Sequence, residues 1–464
     1  MTLFVLVYGF GSIGTGLGRP AFIVGCLAAG YWSWRESPAR HLEVSLILFA
    51  TAPFLRRVVD FGAGFDPSGF MLTGPLLAIL IPTVELRHLV LVERSPSRVL
   101  SPMLLIGACI AYAIVLSLAS GEIVGALTGT LKWIAPLLYG VWLIHRVRQD
   151  TEIVQVAARA FLFVTPIIGA YGVFQYLDPP AWDRYWMINA GMDSIGVPEP
   201  LGVRVFSTMN SPASFATFSA TGLLLFGFCR SGWLASVMSI PCLLGLLLSL
   251  YRTAWLGFAV GVIFCMFFAA TRGRAFLVCM LLFGAIGAAG LNDTIGDVIL
   301  NRLETLTGPP AQDGSGQERL REFLTIYENA ESTIIGQGIA AKPPENASKM
   351  PIDGMIIYCW LSMGIIVGLT CVLATLWAGF IALAQVCRRP EPVRVVLGAA
   401  ILGALMQVPL AGVIVGEMGF LFWVCVALSV SIPVSGGATT GLARTLGDAS
   451  NHRPFAGHVT SAHR

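Results

Sequence analysis

Residues Ile352–Val386 read IDGMIIYCWLSMGIIVGLTCVLATLWAGFIALAQV, with no charged side chain after Asp353. A helix needs about 20 predominantly apolar residues to cross the hydrocarbon core of a bilayer. This run is longer, so its start is expected to extend out of the membrane. Similar runs recur along the whole chain, from Leu3–Leu17 through Val99–Ala119 and Val154–Tyr176 to Gly419–Ile432. Composition agrees. The 464 residues are 56% hydrophobic and 12% charged, with a mean hydropathy of +0.77, whereas an ordinary soluble domain carries about 25% charged residues. The short alternating segments of a β-barrel are absent. The chain therefore reads as an all-α polytopic membrane protein of about 12–14 transmembrane helices, each near the length that spans a bilayer. The membrane domain is expected over residues 1–434, followed by a disordered tail, 435–464, rich in Gly, Ala, Thr and His.

The positive-inside rule orients these spans. With the N-terminus in the cytoplasm, Arg35, Arg40, Arg87, Arg94, Arg98, Arg146, Arg148, Arg230, Arg272, Arg274, Arg388, Arg389 and Arg394 all fall inside, together with the C-terminal tail. Two longer loops, 177–210 and 292–351, then face outward. Nine arginines break the rule by landing outside: Arg19, Arg56, Arg57, Arg184, Arg204, Arg252, Arg302, Arg319 and Arg321. Arg204 and Arg252 lie against the ends of apolar runs, where a guanidinium must snorkel or find a partner. Several such groups on one side point to a bound anion, and the planar fork of arginine suits phosphate.

The larger outward loop is the longest stretch without a spanning segment. Between Leu291 and Met350 it holds nine acids against five bases. Gly316–Ala330 is predicted to be an amphipathic helix, because Leu320, Phe323, Leu324 and Tyr327 fall at i, i+3, i+4 and i+7. That apolar stripe is expected to pack on the membrane domain; the alternative is a connecting loop lying on the bilayer surface. There is no P-loop, no HExxH, no GxSxG and no cysteine–histidine pair suited to nucleophilic catalysis. The ten cysteines form no CxxC pair and read as small apolar packers. All six histidines fall on the cytoplasmic side of this topology, so proton chemistry outside is left to carboxylates.

Four short motifs carry a resemblance. Arg204-Val205-Phe206-Ser207-Thr208-Met209-Asn210-Ser211-Pro212 opens an apolar run, and Ser249-Leu250-Tyr251-Arg252-Thr253-Ala254-Trp255-Leu256-Gly257 opens another. Arg319 stands four residues before Phe323 and seventeen before Gly336-Gln337-Gly338, and Asp353-Gly354 is followed by Gly364 and Gly368. In order and spacing, from Arg204 to Gly368, these are similar to the O-antigen ligase and polymerase superfamily of bacterial inner-membrane proteins. The resemblance implies a GT-C-like helical glycosyltransferase. It would use a polyprenyl-pyrophosphate-linked oligosaccharide at the periplasmic face, with no nucleotide sugar, metal or other cofactor. It implies that Arg204, Arg252 and Arg319, with Arg321 beside them, bind the pyrophosphate. The run starting at Asp353 is similar to a segment that re-enters the membrane.

Carboxylate candidates for the base are Asp353, then Asp313 and Glu322. Asp353 stands where the ligase branch of the family carries histidine, and Phe323 stands where tryptophan is usual; both differences favour a polymerase. Transfer of finished glycan by a ligase, and transport or flipping of lipid-linked sugar, remain the alternatives. A chain-length regulator and a flippase are partners expected from the resemblance, alongside membrane lipid; nucleic acid is not.

Overall fold

The computed structural model describes residues 17–87, 98–147, 152–229, 233–289, 324, 334–340 and 354–430. Its helices are α1 (Gly18–Glu36), α2 (Pro38–Ala63), α3 (Thr73–Leu80), α4 (Leu100–Ala119), α5 (Ile123–Val147), α6 (Glu152–Leu177), α7 (Ala181–Ala190), α8 (Pro212–Cys229), α9 (Trp233–Leu248), α10 (Arg252–Met266), α11 (Arg272–Ala289), α12 (Met355–Arg388), α13 (Pro392–Leu405) and α14 (Gly416–Val430). Among the described residues there is no strand, only an isolated bridge between Gly196 and Val203. The tail 435–464 and nearly all of loop 292–351 lie outside the described residues. Of the helix predicted at Gly316–Ala330, Leu324 alone is described; it is helical and exposed.

The protein is an all-helical membrane protein. Among the described residues, four helices, α4, α5, α6 and α12, are long and apolar enough to cross a bilayer. Other expected spans are shorter apolar helices, and local sequence shows why. The segment at Phe70–Leu86 is divided into a 3-10 turn, α3 and a second 3-10 turn containing Pro82. The run at Val395–Val415 ends its helix at Leu405, and the turn that follows contains Pro409 and Gly412.

Burial follows from an apolar solvent outside. On α4, Ile106 and Ile110 are fully buried, while Leu104 and Val115 point outward and are largely exposed. Apolar side chains displayed this way on many helices belong against lipid rather than water. Every residue of α14 from Gly419 to Val430 is buried. A helix apolar all round belongs at the centre of a bundle, and α5 packs along it while Phe49 of α2 stacks on Phe420 at 4.2 Å.

The long run that opened the sequence reading is broken. Gly364 has φ 77° and ψ 172° inside α12, a conformation reserved almost wholly for glycine. The chain turns back there: a Cβ on Gly368 would lie 2.5 Å from the Cys359 carbonyl oxygen, an approach no straight helix allows nine residues away. Met355–Met363 is therefore a short limb folded back against the longer one. The break frees backbone groups, and the segment 334–340 satisfies them. Gln337 N donates to Leu361 O at 2.8 Å, and Gly338 N to Ser362 O at 2.9 Å. The Ile365 N–H returns a bond to Ile334 O at 3.3 Å. Tyr112 and Tyr358 hydroxyls hold the Ile335 and Ile339 carbonyls at 2.9 and 3.1 Å.

Gly364→Ala is expected to expel this insert. The new Cβ would sit 2.2 Å from Ile334 O, and backbone strain alone adds roughly 1–3 kcal/mol. Thermal melting of the purified protein should show a clear drop for Gly364→Ala and none for Gly273→Ala, whose Cβ would meet nothing within 4 Å. Equal midpoints would mean the insert is not held by the break.

Candidate functional site

The loop 177–210 is an ordered cap on one end of the bundle. Pro179-Pro180 lead into α7, and Gly191 ends it in the left-handed conformation at φ 58°, the usual way a helix terminates. A tight hairpin follows, with Val197 N bonded to Gly202 O at 3.1 Å and Arg204 N to Ile195 O at 2.9 Å. Trp186, Met187, Ile195, Val203 and Phe206 form its own small core.

Beneath that core lies Arg57 of α2, paired with Asp183 of α7 at 2.6 Å, both side chains wholly inaccessible. Arg57 donates to the Ser207 and Met209 carbonyls and, at 3.2 Å, to the Asn210 side chain. Its guanidinium also lies over the Phe206 ring, 5.0 Å from the centroid. Asp183 accepts further bonds from Tyr171 at 2.8 Å and Gln175 at 2.6 Å. Gln175 uses its carbonyl end for the Phe206 and Ser207 amides at 3.2 and 2.8 Å. Thr208 bonds Ala50 O at 2.6 Å. The motif from Arg204 to Pro212 is thus held along its length, with Ser207 at φ 52°, a conformation sparsely adopted by any residue but glycine.

The second arginine motif docks on the first. Ser249 caps its own turn, accepting from Tyr251 N at 3.2 Å, and Leu250 sits at φ 53°. Val205 N donates to Leu248 O at 3.1 Å, and the Arg204 guanidinium to Leu250 O at 3.3 Å. Leu250 is two residues before Arg252, the first residue of α10. The structure therefore brings the Arg204 and Arg252 segments together at the two ends of the packed α8–α9 pair.

The other predicted site residues, Arg319, Arg321, Asp313, Glu322 and Asp353, lie outside the described residues. Gly354, which follows Asp353, packs against Pro409, where a Cβ would be 2.6 Å from its carbonyl oxygen.

Four arginines expected on the outer side are ion-paired within the chain. Arg19 and Arg56 share Asp60, at 2.9 and 3.3 Å. Arg57 takes Asp183, and Arg184 pairs with Asp178. A guanidinium in an apolar helix needs such a carboxylate. The neighbouring Asp66 remains ionised more readily than usual: its partial burial works against this, and hydrogen bonds from Ser68 and the Phe70 amide outweigh it.

Sequence reasoning passed over Arg57, Asp183 and Gln175 as members of one unit. The available signal was the charged pair Arg56-Arg57 inside an apolar run. No family model matches this chain, and no curated protein matches it in sequence.

Proposed function

We propose that this protein is a polysaccharide polymerase of the bacterial inner membrane, with a GT-C-like helical fold and both termini in the cytoplasm. It transfers glycan from a polyprenyl-pyrophosphate-linked donor to an acceptor sugar hydroxyl at the periplasmic face. The observation that carries this reading is the docking of the Arg204 segment on the loop that ends at Arg252. Two arginine-bearing segments, distant in sequence, meet at one end of an apolar bundle. That is what a diphosphate held at a membrane surface requires. As the bond from sugar to diphosphate breaks, negative charge accumulates on the leaving group, and preorganised guanidinium groups stabilise it. Arg319 and Arg321 of the outward loop complete the cluster in this proposal, and a carboxylate takes the acceptor's proton. A chain-length regulator and a flippase are its proposed partners.

A second reading, transport of lipid-linked glycan, is favoured by the broken helix at Gly364 and the inaccessible Arg57–Asp183 pair, since discontinuous helices and intramembrane charges mark transporters. A strain lacking the gene separates the readings. Loss of a polymerase leaves single repeat units on the surface acceptor. Loss of a transporter leaves lipid-linked material inside the cell, and loss of a ligase leaves free lipid-linked polymer outside. An unchanged length distribution of surface glycan would rule out the polymerase.

A further inference from the structure

We propose that Gln407 is a positioning residue, which sets the start of the folded-back limb against the helices that follow Arg204 and Arg252. The inference rests on the transferase reading above. Gln407 lies just past the last turn of α13 and is 2% exposed. A polar side chain at such a place is costly unless its hydrogen bonds are made. Here both ends of the amide are used. The Thr217 hydroxyl of α8, which also reaches the Ala213 carbonyl of its own helix at 2.8 Å, donates to Gln407 Oε1 at 2.9 Å. Gln407 Nε2 donates to Gly403 O at 3.2 Å.

Each contact leads to a part of the proposed site. Thr217 stands five residues into α8, which opens at Pro212, the end of the Arg204 motif. Gly403 meets α10: a Cβ on Gly257 would lie 2.7 Å from Gly403 O, and one on Gly403 would lie 2.9 Å from Gly257 O. Arg252 is five residues before Gly257 on the same helix, less than two turns away. The carbonyl that Gln407 bonds is therefore the one against which the Arg252 helix rests.

The third contact is made by the backbone of Gln407. Its carbonyl accepts from Leu410 N and Ala411 N, each at 2.8 Å, and so turns the chain out of α13. Within that turn Val408 O receives Met355 N at 3.2 Å, and the Pro409 carbonyl lies against Gly354. The limb thus starts on the turn that Gln407 closes, directly after Asp353 in the sequence, the first candidate for the base.

Apolar packing does not by itself fix these parts. A cavity beside them is lined by Thr217, Ala254, Gly257, Gly403 and Gln407. Where close neighbours are lacking on one side, hydrogen bonds hold the register in place of packing. Displacement at the anomeric carbon needs the acceptor oxygen in line with the bond to the diphosphate, and a misplacement of about 1 Å can cost about 100-fold in rate. The Arg204–Leu250 contact does not run through Gln407. Loss of the Gln407 bonds should therefore slow transfer without loosening the donor.

The test uses the full-length protein in lipid nanodiscs, with lipid extract of the deletion strain as the source of donor and acceptor. Polyprenyl pyrophosphate release is measured over a titration of extract, and binding of added undecaprenyl pyrophosphate separately. Thr217→Val and Gln407→Met keep the side-chain shape and remove the bond between them. Each should lower kcat about 100-fold, with KM and undecaprenyl pyrophosphate binding unchanged. Thr217→Ser, which keeps the hydroxyl, should turn over as the wild type does. Amide hydrogen exchange should quicken at Met355 in the two slow variants and stay unchanged in α1. Wild-type turnover in both Thr217→Val and Gln407→Met would overturn the assignment, as would a Thr217→Ser variant as slow as Thr217→Val. Loss of undecaprenyl pyrophosphate binding would overturn it too, because the damage would then be general, and so would unaltered exchange at Met355. If the wild-type protein itself releases nothing, the transferase reading fails and the role in transfer with it, while exchange at Met355 still decides whether Gln407 positions the limb.

Discussion

Arg57→Ala is expected to cost about 3–5 kcal/mol of stability, the usual penalty for removing one partner of a buried ion pair. The reason is what stays behind. Asp183, with no exposure at all, would keep only the Tyr171 and Gln175 bonds to offset its charge. The Ser207 and Met209 carbonyls would each lose a charged donor, and Phe206 would lose the cation above its ring. Arg57→Lys keeps one charge but cannot reach an aspartate and two carbonyls at once, so it should fall between alanine and wild type. The double variant Arg57→Met with Asp183→Leu removes both charges and should be less damaging than either single change. A double-mutant cycle read by thermal unfolding in one detergent measures that coupling. A wild-type midpoint for Arg57→Ala would refute the account, and simple addition of the two single losses would refute the coupling.

The effect should not stop at stability. Ser207 is held at φ 52° by bonds on both sides of its peptide, and strained backbone of this kind persists only where its surroundings over-determine it. Once Arg57 is gone, the segment is free to relax, and Arg204 is carried on that segment three residues earlier. Loosening at Arg57 therefore reaches the contact between Arg204 and Leu250.

The membrane class was legible because apolar run length is a local property of sequence. The ends of the runs were less so. α5 begins at Ile123, eight residues ahead of Leu131, where hydropathy alone would start the span, because Gly125, Thr128, Gly129 and Thr130 look like loop residues in isolation. Close packing against Ile339 and Ala340 makes the two glycines useful there. The helix α7 was not anticipated either, because 177–210 reads from the sequence only as an outward loop between apolar runs. The break in Ile352–Val386 could be anticipated only from the motif that resembles a re-entrant segment; by hydropathy alone it is one long span. The Arg57–Asp183 pair could not be anticipated, because its partners are 126 residues apart and nothing local to either names the other. The arginine motifs were legible as separate pieces, and tertiary structure supplied their contact.

Arg204→Lys and Arg252→Lys are each expected to cut glycan transfer about 100- to 1,000-fold, or roughly 3–4 kcal/mol of transition-state stabilisation. The alanine variants should be little worse. Lysine keeps the charge, so a site that needed only positive potential would tolerate it. A diphosphate gripped by two forks would not, because bidentate contact is lost. The structure adds a reason at Arg204. Its guanidinium already donates to Leu250 O at 3.3 Å, which orients the remaining N–H groups beside the start of α10. An ammonium group on a flexible stem has no second arm to hold that orientation while binding an anion. Protein level and melting temperature should stay near wild type, since neither arginine is fully buried. The measurement is the length distribution of surface glycan in a deletion strain carrying each variant at matched expression. Full-length polymer from Arg204→Lys with Arg252→Lys combined would exclude a diphosphate site at this junction.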